Sequence, residues 1–260
     1  MNRIDTLFAA KRRNILSVYF TAGYPQPDDT LSIICELAAQ GADMVEVGIP
    51  FSDPMADGPV IQQSGAAALK NGMTLRKLFA QLEDVRRHVS LPLIMMGYLN
   101  PVMQLGVEAF CRRCSEVGVD GVIIPDLPFG DYMERFKALG ERYGVRFIML
   151  ITPETSDERI RLIDENTSGF IYMVSTASTT GARDSFDEKT LAYFRRIDGM
   201  TLRNPRLIGF GISNKATLDA AFANANGAII GSEFIRLLGA EQSIACATSA
   251  LMKKLAQGSR

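Results

Sequence analysis

Met44-Val45-Glu46-Val47-Gly48-Ile49-Pro50-Phe51-Ser52-Asp53-Pro54-Met55-Ala56-Asp57-Gly58-Pro59 reads as a short buried strand, a long loop stiffened by proline, and the approach to a helix near Ile61. An apolar run of this length without alternation marks a strand buried on both faces, as in a parallel sheet covered by helices. Glu46 is the only carboxylate within the apolar runs of the chain that read as strands, and no Lys or Arg lies within those runs to pair with it. Burying an ionised group without a partner is costly, so an acid or base that works is a better reading than a salt-bridge anchor. Met44, Glu46 and Gly48 share one face of the strand and Val45 and Val47 the other, which confines the polar choice to one side.

Working outward, the same unit recurs. The apolar runs are Ile15–Thr21, Met44–Gly48, Leu93–Gly97, Gly121–Ile124, Phe147–Ile151, Phe170–Ser175, Leu207–Gly209 and Ala228–Gly231. Helix punctuation lies between them: Asp28-Asp29 to Gly41, Thr74 towards His88, Asp131 to Gly144, and starts at Ser156 and at Ser213 or Asn214. Eight β-α units predict an α/β fold, a (β/α)₈ TIM barrel formed by residues 1–260 as one domain. An extra N-terminal helix at about Ile4–Lys11 caps its bottom, and a short helix follows strand eight. A doubly wound open sheet is the alternative, but no Gly-x-Gly-x-x-Gly follows the first run.

Composition excludes several classes. With 260 residues, 47% hydrophobic content and a net charge of -1, the chain is not a nucleic-acid binder by charge. It has no apolar run long enough to span a membrane and no signal-peptide pattern at Met1-Asn2-Arg3-Ile4-Asp5, so a cytoplasmic protein is expected. The four cysteines read as reduced thiols; Cys111-x-x-Cys114 falls in a helical stretch without a second ligand pair.

In such a barrel, chemistry belongs at the carboxyl ends of the strands. Glu46 is placed there, and the loop after it carries Asp53 and Asp57; turn chemistry explains Asp53 better than function does, and Asp57 stands even between the two. The connection Thr176-Ala177-Ser178-Thr179-Thr180-Gly181-Ala182-Arg183 is small and polar, and reads as a lid or as a solvated loop. Gly209-Phe210-Gly211 ends unit seven and Gly231-Ser232 ends unit eight, where glycine turns and a helix N-terminus bind phosphate esters in this fold. No Lys lies at a strand end to form a Schiff base, and the single histidine, His88, ends a helix away from the active face. Chemistry by carboxylates, hydroxyls and backbone dipoles follows, with a divalent ion held by Glu46, Asp53 and Asp57 as the alternative.

These residues resemble the tryptophan synthase alpha chain family over the whole chain. The matching segments are Tyr19-Phe20-Thr21-Ala22-Gly23-Tyr24-Pro25, Val45 to Pro54 with Ala56-Asp57-Gly58-Pro59, Gly97-Tyr98-Leu99-Asn100-Pro101, Pro125-Asp126-Leu127-Pro128, Gly209 to Ser213 and Gly231-Ser232. The resemblance implies retro-aldol cleavage of indole-3-glycerol phosphate to indole and glyceraldehyde 3-phosphate, with no cofactor in this chain. It implies Glu46 as the general acid-base and Asp57 as the carboxylate that holds the indole N–H. Phe20, Ile61, Met96, Tyr172, Thr180 and Phe210 match substrate contacts, and Gly181, Gly211, Gly231 and Ser232 match phosphate contacts. The implied partner is a pyridoxal-phosphate-dependent beta chain, in an alpha2beta2 heterotetramer that receives the indole, with Asp53-Pro54-Met55 and Asn100-Pro101 facing it.

One departure stands out. The usual lid begins Ser-Arg-x-Gly-Val-Thr-Gly, whereas here Thr176 and Ser178 replace the arginine and the first glycine. Altered closure with activity retained is the expectation. Two alternatives remain: another phosphate-binding barrel isomerase or cyclase, and a non-catalytic activator of the beta chain.

Overall fold

The computed structural model describes residues 2–175 and 185–257. Nine strands among the described residues form one parallel sheet: β1 (Ile15–Thr21), β2 (Met44–Gly48), β3 (Leu93–Met96), β4 (Gly121–Ile123), β5 (Arg146–Ile148), β6 (Leu150–Ile151), β7 (Ile171–Val174), β8 (Arg206–Gly209) and β9 (Gly227–Ile230). The order β5-β4-β3-β2-β1-β9-β8-β7-β6 joins first strand to last, because β1 pairs with both β2 and β9. The ring is completed covalently between β5 and β6, where Met149 alone separates them. β5 pairs back to β4 and β6 forward to β7. The fifth apolar run is therefore one bent strand that changes partner at its middle, which closes a TIM barrel.

Side chains sort with a period of two. Ile15, Tyr19, Met44, Ile94, Ile148, Leu207 and Ile229 form the barrel interior, while Val18, Phe20, Val45, Val47, Met95 and Ile230 pack outward against the helices. The N-terminal helix spans Arg3–Ala10, one residue earlier than expected at each end, and Asn2 caps it by accepting from the Ile4 N–H. Ile4 is fully buried in the interior cluster and plugs the bottom of the barrel.

Helix starts follow the capping chemistry where a side chain can accept. Thr74 caps Leu75–Leu82, Ser156 caps Asp157–Asn166, and Asn214 caps Lys215–Asn224 with a capping box. Two expectations shift. The Thr74 helix stops at Leu82, with a separate turn at Val85–His88, and Asp131 is not a start but lies inside a run that begins at Phe129. That run passes through a π-helical turn at Tyr132–Phe136 before ending at left-handed Gly144. No helix among the described residues is long and apolar enough to cross a membrane.

Closure requires a glycine at the β1–β9 seam. A Cβ on Gly227 would lie 2.2 Å from the Ile15 carbonyl oxygen. That atom belongs to backbone and cannot move without breaking register. Gly227→Ala is expected to lower stability by about 2–3 kcal/mol or more, read as a lower denaturant midpoint at unchanged m-value; an unchanged midpoint would mean that the seam is loosely packed.

Candidate active site

The cavity at the carboxyl ends of the strands is walled by Tyr19, Ile61, Met96, Tyr172, Phe210 and Ile229, with Asp57 at its rim and Gly211, Ser213, Gly231 and Ser232 on one side. Of the substrate contacts expected from sequence, Ile61, Met96, Tyr172 and Phe210 are brought together here. Phe20 is not. It is fully buried on the outward face of β1, between barrel and helices, and Tyr19 takes the place in the cavity. The signal was available: Ser17, Tyr19 and Thr21 alternate with Leu16, Val18 and Phe20, so the polar-bearing face is the inward one. Thr180, Gly181, Thr176 and Ser178 lie outside the described residues.

Glu46 is fully buried inside β2, level with Tyr19 on β1 and Ile94 on β3. Its Oε1 accepts from the Ser17 hydroxyl at 2.8 Å, and its Oε2 has no partner among the described residues. Burial pushes its pKa up to about 8, against a smaller opposing effect of the Ser17 hydrogen bond. Gly48 is the next inward position above it, and the Tyr19 hydroxyl occupies the space a side chain on Gly48 would need. Tyr19 thus overlies Glu46, whose carboxyl sits just beneath the cavity rather than on its wall. Gly209 makes the same allowance on β8 for the Tyr172 hydroxyl.

Asp57 is half-buried and held by a residue that sequence reasoning left without a role. The Tyr98 hydroxyl donates to Asp57 Oδ2 at 3.2 Å and accepts from the Ala56 N–H at 3.0 Å, while the Phe51 ring stacks on Tyr98 at 5.3 Å. Burial raises the Asp57 pKa above its ordinary value, and the Tyr98 hydrogen bond offsets only part of that rise. The long loop is therefore tied to the start of the Leu99–Leu105 helix. Asp53 stays exposed and bonded to Ser52, so Glu46, Asp53 and Asp57 do not gather around an ion; among the described residues no group of acidic, histidine or cysteine side chains could hold a metal.

On the opposite side, Phe210 has φ +68 and Gly211 φ +73, two successive left-handed residues. That conformation is strained for phenylalanine and is retained where surroundings fix it. The Ser175 hydroxyl donates to the Phe210 carbonyl at 2.8 Å, and the Phe210 ring meets Tyr172 edge-on at 6.0 Å. Gly231 is the N-cap of the Ser232–Ala240 helix, whose first-turn N–H groups have no intrahelical acceptor. A buried carboxyl beneath the cavity, a hydrogen-bonded carboxylate at its rim, an apolar slot and a helix N-terminus thus lie together.

The raised pKa has a consequence for stability. Glu46 ionises near 4.5 when unfolded and near 8 when folded, so the folded state holds the extra proton between those values. Stability is fully retained below about pH 4.5 and is lost as pH rises to about 8. Glu46→Gln escapes this loss, and its stability relative to wild type should rise by up to about 5 kcal/mol between pH 4 and pH 9. Equal differences at both pH values, read by chemical denaturation, would mean that Glu46 is not held neutral.

The model of the family described as tryptophan synthase alpha chain matches residues 6–259. A tryptophan synthase alpha chain of Parabacteroides distasonis is 61% identical over 257 residues, covering 99% of this chain and 100% of that protein. One from Bacteroides fragilis is 61% identical over 243 residues, covering 94% and 92%. Among solved structures, Mycobacterium tuberculosis tryptophan synthase superposes with a TM-score of 0.88 at 30% identity, covering 98% of this chain and 97% of that one. The tryptophan synthase A-subunit of Pyrococcus furiosus gives 0.84 at 36% identity, covering 94% and 97%.

Proposed function

The chain belongs to the tryptophan synthase alpha chain family, and from that premise we propose how its residues carry out the alpha reaction. It is a lyase that cleaves indole-3-glycerol phosphate to indole and glyceraldehyde 3-phosphate. Membership sets aside the isomerase and cyclase alternatives.

Glu46 is the general acid and then the general base. Protonated near neutral pH, it gives its proton to C3 of the indole ring, and the resulting carboxylate takes the proton of the glycerol hydroxyl next to the scissile bond. That hydroxyl carbon becomes the aldehyde, the bonding pair returns to the ring to restore its aromaticity, and Glu46 is left protonated for the next turnover. Asp57 accepts from the indole N–H and stabilises the cation formed when C3 is protonated. The observation that carries this division is the contrast in environment: a fully buried carboxyl with one unpartnered oxygen against a half-buried one bonded to Tyr98. Because Tyr19 overlies Glu46, the carboxyl turns away from Ser17 to meet the ring.

Ile61, Met96, Tyr172 and Phe210, with Tyr19 in place of Phe20, form the slot for the indole. Gly211, Gly231 and Ser232 take the phosphate through backbone N–H groups and the helix dipole. The partner is a beta chain, in an alpha2beta2 heterotetramer whose pyridoxal phosphate belongs to that partner and into which indole is channelled in the cytoplasm. Residues 1–260 form one barrel domain and bring no cofactor of their own. Met55, 86% exposed in the loop that carries Asp57, supports docking at the barrel mouth, where the partner can act on the catalytic loop.

Indole release measured with and without beta chain tests the assignment. Glu46→Gln should abolish it, and unimpaired release would remove Glu46 from the acid-base role. In wild type, kcat/KM should fall as pH rises through about 8. Tyr98→Phe removes the hydrogen bond that orients Asp57 and should lower kcat/KM about tenfold or more; a change within twofold would show that the loop holds Asp57 without it.

A further inference from the structure

Glu233 is a buried charge that the alpha reaction does not use. It is the second residue of the Ser232–Ala240 helix, lines the same cavity as Gly211, Gly231 and Ser232, and is 2% exposed. A carboxylate in this turn adds favourably to the dipole of an isolated helix, but a phosphate ester at the same end changes the sign of its effect. It would repel the dianion and compete with it for the first-turn N–H groups.

Both carboxylate oxygens are occupied elsewhere. Oε1 accepts from Lys254 Nζ at 2.8 Å, and Oε2 from the Arg236 guanidinium one turn along the helix. Arg236 and Lys254 are about half exposed, so they reach the buried carboxylate from the solvent side. Lys254 comes from the Ile244–Ala256 helix, the last described helix of the chain, and stands in its final turn. The three side chains together carry a charge of +1, and the first-turn donors stay available for the ligand.

We propose that the Glu233–Lys254 ion pair sets the charge of the phosphate subsite, making Lys254 a positioning residue for substrate although it belongs to the C-terminal helix. The proposal rests on the reading that Gly211, Gly231 and Ser232 hold the phosphate. Lys254 cancels the field of Glu233 at the helix N-terminus and keeps its carboxylate off the N–H donors. The slot for indole lies on the other side of the cavity, and indole itself carries no net charge for the pair to act on.

The test is calorimetric titration of the full chain with glycerol 3-phosphate and, separately, with indole. Lys254→Met should weaken glycerol 3-phosphate about five- to tenfold at low salt, less at high salt, and leave indole affinity unchanged. Glu233→Gln should bind glycerol 3-phosphate at least as tightly as wild type, and the double variant should return to within about twofold of wild type, because with Arg236 retained the three positions again carry a charge of +1. In turnover, Lys254→Met should raise KM more than it lowers kcat. Weakening by both single variants that adds in the double, or equal loss of indole affinity, would mean a packing role and overturn the proposal. Gly231→Ala separates the two readings. If it leaves glycerol 3-phosphate affinity unchanged, the phosphate assignment falls and the proposal with it; if it weakens binding while Lys254→Met does not, only the proposal falls.

Discussion

Closure of the barrel at the β1–β9 seam is the constraint on which the rest depends. β1 is hydrogen-bonded on both sides, and the approach of Gly227 to the Ile15 carbonyl leaves no room for a side chain. Once the ring is closed, inward side chains have no route to water except at the ends. Ile4 stops one end and the cavity occupies the other. Glu46, on the second strand of that ring, is thereby desolvated, and its neutrality near pH 7 is a property of the closed sheet rather than of the residue.

The site divides by its contact with solvent. Beneath the tyrosines Glu46 has no exposed surface, and that burial favours its protonated form. At the rim the proline-stiffened loop holds Asp57 half-buried, where the Tyr98 hydrogen bond offsets part of the effect of burial. On the far side, strain at Phe210 and the turn at Gly231 expose backbone donors instead of cationic side chains. The cationic side chains of Arg236 and Lys254 are directed at Glu233. Each half of the site uses the electrostatic device suited to its exposure.

How legible this was from sequence depended on the range of the interaction. The strands, most helix caps and the glycine turns are set by neighbours within a few residues, and they were read nearly in place. Phe20 is an expected contact through the family resemblance alone; its apolar side chain suits either face of β1, and the polar pattern of Ser17, Tyr19 and Thr21 distinguishes the faces. The bend at Met149 gives no local signal, since each half of the strand is apolar and the change lies in its pairing partner. Tyr98 and Lys254 are separated by 41 and 21 residues from the carboxylates they bond, and nothing local to either announces the contact.

The sequence by itself determined the repeating β-α unit, the placement of Glu46 in an apolar strand and of Asp57 in a stiff loop, and a family resemblance that the comparisons bear out. These follow from periodicity, turn chemistry and the cost of an unpaired charge, which are written in short segments. Tertiary structure decided how far Glu46 is shielded from water and which side chains hold Asp57 and Glu233. Those outcomes depend on distances between groups far apart in the chain, and such distances exist only after the ring has closed.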